Sequence, residues 1–576
     1  MPVVDVDPDE LRRLAGTPDQ TEDALLEDLF ALGLEYEGET EDGAFRLEFA
    51  PDRLDRLSVE GVARSLRYQQ GTDRGVHVPR LNRSSWRLVV DESVPGERPY
   101  VTGAIVRDLS LTEGTLDSLI QLQEKLHETI GRRRVKAAIG IHDLTMLKGS
   151  DPTEAGDATV TYRGVDRDEV RFVPLESDEE LTPAEVLEHH PTGRTYADIV
   201  SDYERMPAIY DDLGLFSFPP IINGRRTEVT SDSRELLIEL TGTDQWTIDK
   251  MLNILCYALD ARGGTIESID VVYPDHTLER PDFSVETKQV PHARIERTLG
   301  VDLSGEEVID LVERAGLEGT PIEEDGGLQY EIDVPPYRVD VLHPVDLIDD
   351  IGRAYGFNEL SPRYPDVNTV GGRHEGSRFE RAVRDLLVGL EFEDLLNFYL
   401  ISNEGNFDRM QLAPDDEVYG AGHPPEIAEP YSEEYEIVRT WALPSLMLVL
   451  ENNTHRAYPQ RLSEIGLTTT VDRSQPNKVD ERRTAAAVIA SHGASFEDAK
   501  SALAALTRRL DVPLSTTPTD HPSFIDGRVA SIDVGSGPTG VIGEFHPAVL
   551  REHGLEVPVV GFELDLDSLR SEGAIE

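Results

Sequence analysis

Apolar positions follow two periodicities along the chain, and where one gives way to the other marks its elements. Val3, Val4 and Val6 read as a strand, followed by a short helix beginning near Pro8. In Glu22 to Leu32 the side chains Leu25, Leu26, Leu29 and Leu32 recur at helical spacing, with Thr21 placed to cap the helix and Gly33 to stop it. Ser58 is placed to cap a further helix carrying Val62 to Tyr68. From about residue 90 to 272 strands and helices mix: a strand over Val101 to Leu109, a long helix from about Leu116 to Ile130, and a strand from Ala137 to Asp143. Ser217-Phe-Pro-Pro-Ile-Ile-Asn223 follows, and Leu236 to Asp244 reads as a buried strand running into a turn. Between about 273 and 360 the pattern predicts two helices, a strand Tyr330 to Val334, and a helix Pro344 to Tyr355 that opens on a natural first-turn proline. Beyond 361 strands alternate with amphipathic helices, and no segment repeats another.

Length adds the division into parts. The 576 residues exceed what a single core supports, so three to five domains are expected. Hydrophobic residues make up 39% and no run approaches the ~18 needed to cross a bilayer, so no membrane partner is expected. The start, Met-Pro-Val-Val-Asp-Val-Asp, signals neither secretion nor import. Cys256 stands alone, which excludes an internal disulfide and a cysteine-ligated zinc. These features predict a cytoplasmic protein.

Charge changes the picture most. There are 111 acidic against 55 basic residues, a formal net of -56, with arginine far outnumbering lysine and acids in every segment. Disorder is excluded because apolar periodicity persists throughout. The pattern is that of a halophilic surface. At molar salt the Debye length is ~3 Å, so this acidity does not forbid a nucleic-acid partner, and it does not argue for one.

Four carboxylates gather in Arg338-Val-Asp340-Val-Leu-His-Pro-Val-Asp346-Leu-Ile-Asp349-Asp350. Helical spacing puts Asp346, Asp349 and Asp350 on one face, with Asp340 approaching from the preceding loop. Such oxygen donors suit magnesium, and first-turn aspartates equally complement a helix dipole. Arg132, Arg133 and Arg134 read either as phosphate contacts or as a solvated helix end. His142 beside Asp143 reads either as a general base with its orienting acid or as a packed histidine. Gly535-Ser-Gly537-Pro-Thr-Gly540 matches a dinucleotide fingerprint in letters only, because it joins two strands of an expected hairpin, Val529 to Val534 and Gly540 to Gly543. No phosphate loop or H-E-x-x-H motif is present, so the chain has no self-contained nucleotide site.

Six segments in order resemble the family of phenylalanine-tRNA ligase beta subunits of archaeal and eukaryotic type. They are Pro51 to Gly61, Ile130 to Asp143, Ser217 to Asn223, Pro335-Pro-Tyr-Arg-Val-Asp340 through Arg353-Ala-Tyr-Gly-Phe357, Tyr458 to Gly466, and Gly543-Glu-Phe-His-Pro547. With the charge, the resemblance implies a halophilic archaeal source.

It also implies an α+β multidomain fold in four parts. These are an N-terminal α/β domain (1–85), a central tRNA-editing α/β domain (86–272), a small winged-helix-like magnesium-binding domain of B5 type (273–360), and an inactive class II synthetase-like antiparallel sheet with helices (361–576). The implied partners are an alpha subunit, in a heterotetramer of two alpha and two beta chains, and tRNA(Phe). ATP is a substrate of the complex and no aminoacylation residue lies on this chain. Magnesium is implied on Asp340, Asp346, Asp349 and Asp350. Editing of mischarged Tyr-tRNA(Phe) is implied for a pocket whose polar residues are Ser217, Asn223, Glu239, Thr241 and Asp244, with Glu239 and Thr241 foremost. The last part departs from a working core: Arg461 and Glu464 are one residue too far apart for R-x-E, and Glu544 follows Gly543 where an ATP-binding arginine is sought. A stand-alone tRNA-editing hydrolase and a non-enzymatic RNA-binding scaffold are the alternatives. Neither explains a resemblance that runs through the inactive core.

Overall fold

The computed structural model describes residues 2–149, 158–324, 326–362, 364, 369–534 and 538–572. The chain forms two compact units, Met1–Tyr364 and Pro365–Glu576. Among the described residues no helix is long and apolar enough to cross a membrane.

In the first unit the strand Val3–Val6, the helix Pro8–Ala15 and the helix Glu22–Ala31 follow the sequence pattern. Thr21 Oγ1 accepts from the Ala24 amide, and Gly33 takes φ of 80° just past the helix end, where a side chain would be strained. Ser58 caps Val59–Gln69, a helix starting earlier than its apolar face.

The largest sheet has ten strands. In spatial order nine of them are Ile222–Asn223, Gly214–Phe218, Met206–Asp211, Ala158–Val165, Leu81–Val90, Thr265–Val272, Tyr100–Arg107, Leu236–Gly242 and Ala137–Asp143, with Thr277–Arg280 paired to Thr265–Val272. The sheet is mixed, since Leu81–Val90 runs parallel to both its neighbours. It curls back on itself: Ser217, on the second strand, reaches Glu239, on the eighth, at 2.7 Å. The expected long helix runs Glu113–Glu128, capped by Thr112. It ends earlier than its pattern because the chain then enters a left-handed turn. Ser217 to Asn223 is two strands joined across the cis Pro219–Pro220 bond.

Residues 286–355 combine a three-stranded antiparallel sheet with helices His292–Leu299, Gly305–Arg314 and Pro344–Tyr355 around their own core. Thr277–Arg280, counted with this segment by its sequence, pairs instead with the large sheet.

The second unit is built on a seven-stranded sheet that is antiparallel except where Glu393–Leu395 runs beside Gln460–Val471. In Val479–Ala490 the residues Ala485, Ala487 and Ile489 join one core, while Ala486, Val488 and Ala490 join the other. Alternate side chains point to opposite faces, so a continuous apolar run is a strand covered on both sides. Phe524–Asp533 and Pro538–Phe545 pair antiparallel, as their sequence predicts; Gly535 and Gly537 of the dinucleotide-like match lie outside the described residues.

Candidate functional site

A cavity of about 370 Å³ opens between the helix Glu113–Glu128 and the curled sheet. Its apolar lining includes Leu116, Leu119 and Ile120 from the helix, Ile139 and Ile141 from the strand beneath, and Pro219 to Ile222. Its polar lining includes Ser217, Asn223, Glu239, Glu124, His127 and Arg134.

Glu239 sits in the middle strand of three, directly opposite Gly103 on one side and Gly140 on the other. A Cβ at 140 would lie 2.2 Å from Glu239 Oε1 and 2.9 Å from His142 Nε2. The glycine therefore makes the room that both side chains occupy. Ser217 Oγ donates to Glu239 Oε1 at 2.7 Å and lies 3.1 Å from Asn223 Oδ1.

Glu239 Oε2 is buried with no hydrogen-bond partner, and so is His142 Nε2. His142 Nδ1 lies 2.8 Å from Thr227 Oγ1, which is 3.3 Å from the Gly224 carbonyl oxygen. His142 Nε2 is 3.6 Å from Glu239 Oε1. A buried carboxylate oxygen without a partner is costly unless a ligand or water brings a donor to it.

At the other end His127 is held by both nitrogens. The Ile139 amide donates to Nε2 (2.8 Å), so Nδ1 carries the proton and donates to Glu124 Oε1 (3.1 Å). Burial lowers the His127 pKa below the ordinary imidazole value. Burial alone would raise the Glu124 carboxyl, but the His127 hydrogen bond and the Arg134 charge outweigh it and hold that carboxyl at about 2.

Three of the five sequence-predicted editing residues, Ser217, Asn223 and Glu239, line the cavity; Thr241 and Asp244 are not among its lining residues. Thr241 points the same way as Glu239, but its hydroxyl accepts from Arg98 Nε at 2.9 Å. Asp244 caps Gln245–Asp260 through the Thr247 amide and meets Lys136 at 3.4 Å. His142 is packed and fully buried, and Asp143 accepts from Ser233 (2.5 Å) and the Thr145 amide. Sequence reasoning missed Arg98, Glu124 and His127. For Glu239 a signal was available in the glycines inside both neighbouring strands, since such residues mark a close approach.

The four aspartates are each already engaged. Arg338 Nε and Nη2 grip Asp340 (2.8 and 2.6 Å), and Nη2 also reaches Asp350 (2.7 Å). Burial would raise the Asp340 carboxyl, but Arg338 holds it below the usual carboxylate value. Asp346 Oδ2 accepts from the Leu342 and His343 amides (2.9 and 2.6 Å), closing a capping box, and Asp349 Oδ2 accepts from Arg353 (2.8 Å). Among the described residues no three His, Cys, Asp or Glu side chains are gathered to hold an ion. The oxygens of the four aspartates are of the type magnesium takes, and the contacts above leave lone pairs on them.

In the second unit Glu464 forms a two-pronged pair with Arg439 (3.0 and 2.7 Å), both fully buried, while Arg461 lies over the Phe392 ring at 4.8 Å. Glu544 is paired with Arg528 at 2.8 Å. Arg461, Glu464 and Glu544 are thus each engaged with another side chain of this unit.

Residues 360–566 match the family described as phenylalanyl tRNA synthetase beta chain CLM domain, and residues 288–357 match the tRNA synthetase B5 domain. The chain is 64% identical over 571 residues to the phenylalanine–tRNA ligase beta subunit of Natronomonas pharaonis, covering 99% of this chain and 100% of that protein. The beta subunit of Halobacterium salinarum is 62% identical over 574 residues, with the same coverage, and that of Pyrococcus furiosus is 37% identical over 577 residues, again with the same coverage. The crystal structure of an N-terminal fragment of the phenylalanyl-tRNA synthetase beta-subunit from Pyrococcus horikoshii is similar with a TM-score of 0.57 at 33% identity, covering 62% of this chain and 99% of the fragment.

Proposed function

The chain belongs to the family of phenylalanine–tRNA ligase beta subunits, and on that premise we propose that it acts with a separate alpha subunit, as two alpha and two beta chains, to join phenylalanine to tRNA(Phe) using ATP. It is a ligase subunit whose partner carries the synthetic site. Residues 361–576 serve as an inactive class II synthetase-like core, a reading supported by the mutual pairing of Arg439 with Glu464. Residues 1–85 form an N-terminal domain and 86–272 an editing domain. Residues 273–360 form a winged-helix-like B5 domain in which Asp340, Asp346, Asp349 and Asp350 hold magnesium. Held there, a magnesium ion would supply a structural tie between loop and helix. The complex works in the cytoplasm.

The central segment hydrolyses tRNA mischarged with tyrosine. Tyrosine exceeds phenylalanine by one hydroxyl, and an apolar synthetic pocket rejects such an added group only ~100-fold, so a second site is needed. The observation that carries this reading is the unpartnered Glu239 Oε2 in the cavity wall. A phenol hydroxyl supplies the donor that this oxygen lacks, whereas phenylalanine leaves it unmatched. In the reaction water adds to the ester carbonyl and the bond from that carbon to the terminal ribose oxygen breaks. The ribose oxygen takes up the proton, releasing tyrosine and tRNA.

In the assembled complex Glu239→Ala is expected to leave phenylalanine charging intact and to slow deacylation of Tyr-tRNA(Phe) by about 10- to 100-fold, the discrimination a lost hydrogen-bond partner supports. Deacylation at the wild-type rate would show that Glu239 is not the recognising wall.

A further inference from the structure

Two adjoining walls of the cavity, the helix Glu113–Glu128 and the strand Ala137–Asp143, are joined through Gly131-Arg132-Arg133-Arg134. All three arginines adopt the left-handed backbone region, with φ of 48°, 53° and 67°. Three consecutive non-glycine residues keep that conformation only if their surroundings impose it. Here the fully buried Arg98 does so, donating to the Arg134 and Val135 carbonyls (both 3.2 Å) while anchored on the Thr241 carbonyl and hydroxyl (both 2.9 Å). Gly131 is also required, since a Cβ there would lie 2.8–2.9 Å from three backbone carbonyls.

The three side chains part ways. Arg134 turns inward, donating to the Ile221 carbonyl (2.9 Å) and Glu124 (3.0 Å) and lying over the Tyr196 ring at 4.3 Å. Arg132 and Arg133 are exposed, and among the described residues neither has an acidic partner. In a chain with 111 acidic residues, two neighbouring guanidinium groups left open on the turn that carries the cavity-lining Arg134 favour an anionic ligand. If the cavity takes an aminoacyl ester, the nearest anions on that substrate are the phosphodiesters of the terminal nucleotides.

We propose that Arg132 and Arg133 bind the phosphodiesters at the 3′ end of the mischarged tRNA and so position its ester in the cavity; this rests on reading the cavity as the hydrolytic site. Planar guanidinium forks suit this task in a halophilic protein, because bidentate contact persists at salt concentrations that cancel long-range attraction.

The test uses the complete complex at molar salt with the double variant Arg132→Asn and Arg133→Asn, asparagine being tolerant of the left-handed region. Two probes are compared: Tyr-tRNA(Phe), and adenosine esterified with tyrosine at its 3′ hydroxyl, which has no phosphate. The expected result is a KM for Tyr-tRNA(Phe) deacylation raised about 10-fold or more, as for loss of one or two charge-assisted contacts, with kcat little changed. Hydrolysis of tyrosyl-adenosine and phenylalanine charging should be unchanged. A second double variant, Arg132→Lys with Arg133→Lys, keeps both charges without the planar fork, and its KM should fall between those of the wild type and the asparagine variant. An unchanged KM in the asparagine variant overturns the proposal. So does an equal loss on both probes, which marks a structural role, or failure to assemble with the alpha subunit. Failure of the cavity reading has a different signature: tyrosyl-adenosine hydrolysis insensitive to Glu239→Ala.

Discussion

At position 140 a missing side chain shapes the chemistry. Glu239 is held between two backbone-only neighbours, and a methyl group on Gly140 would collide with both its Oε1 and His142 Nε2. The neighbour that must yield is a buried carboxylate hydrogen-bonded to Ser217, and it has little room to do so. Gly140→Ala is therefore expected to lower Tyr-tRNA(Phe) deacylation by about 100-fold, the effect of a displacement near 1 Å at a reacting or recognising group, with phenylalanine charging preserved. Wild-type deacylation in that variant would refute the tight placement of Glu239. The family resemblance implied that Glu239 and Ser217 share a pocket, whereas their direct contact could not be read from the sequence. Ser217 lies 22 residues from Glu239 and meets it only because the sheet curls, and His142 is held at Nδ1 by Thr227, 85 residues distant.

Elements were more legible than sites, because their signals are local. The helix Pro344–Tyr355 has the bounds its sequence predicts, with Pro344 in the first turn and a His343–Asp346 capping box. Asp346 thus serves the helix end and stands as a candidate magnesium ligand, and the two roles separate by experiment. Replacing Asp346 and Asp349 with alanine removes one cap, worth ~1 kcal/mol, and two of four carboxylates. The expected outcome is lost magnesium, measured by metal analysis of the purified complex, together with reduced tetramer yield. A complex with unchanged metal content and only slightly lowered thermal stability would leave Asp346 its cap and Asp349 its pair with Arg353 alone. By contrast, Ser217 to Asn223 has no regular pattern to read. Its break falls between two prolines that donate no backbone hydrogen bond, and its ends pair with each other as a short hairpin.

At the scale of the whole molecule the formal charge of -56 sets the working conditions. Exposed like charges repel in dilute buffer, and ~1 M salt shortens their range to ~3 Å. Buried pairs such as Arg53–Asp55, Arg338–Asp350 and Arg439–Glu464 are shielded from that screening. Diluting salt should therefore weaken the surface without strengthening the core, and the thermal midpoint is expected to fall steeply as salt drops from about 1 M to about 0.1 M. A midpoint that is flat or rises over that range, followed by circular dichroism, would contradict this account. The sequence by itself determined the halophilic surface, the α+β elements and the family, because composition, periodicity and motif letters are properties of neighbours along the chain. Only the tertiary structure decided that Glu239 faces a cavity while Thr241 is spent on Arg98, that Asp244 caps a helix, and that Arg132 to Arg134 form a strained turn. Those outcomes depend on the curl of a ten-stranded sheet, and on contacts between residues such as Arg98 and Thr241 that stand 143 positions apart, distances over which no local pattern carries information.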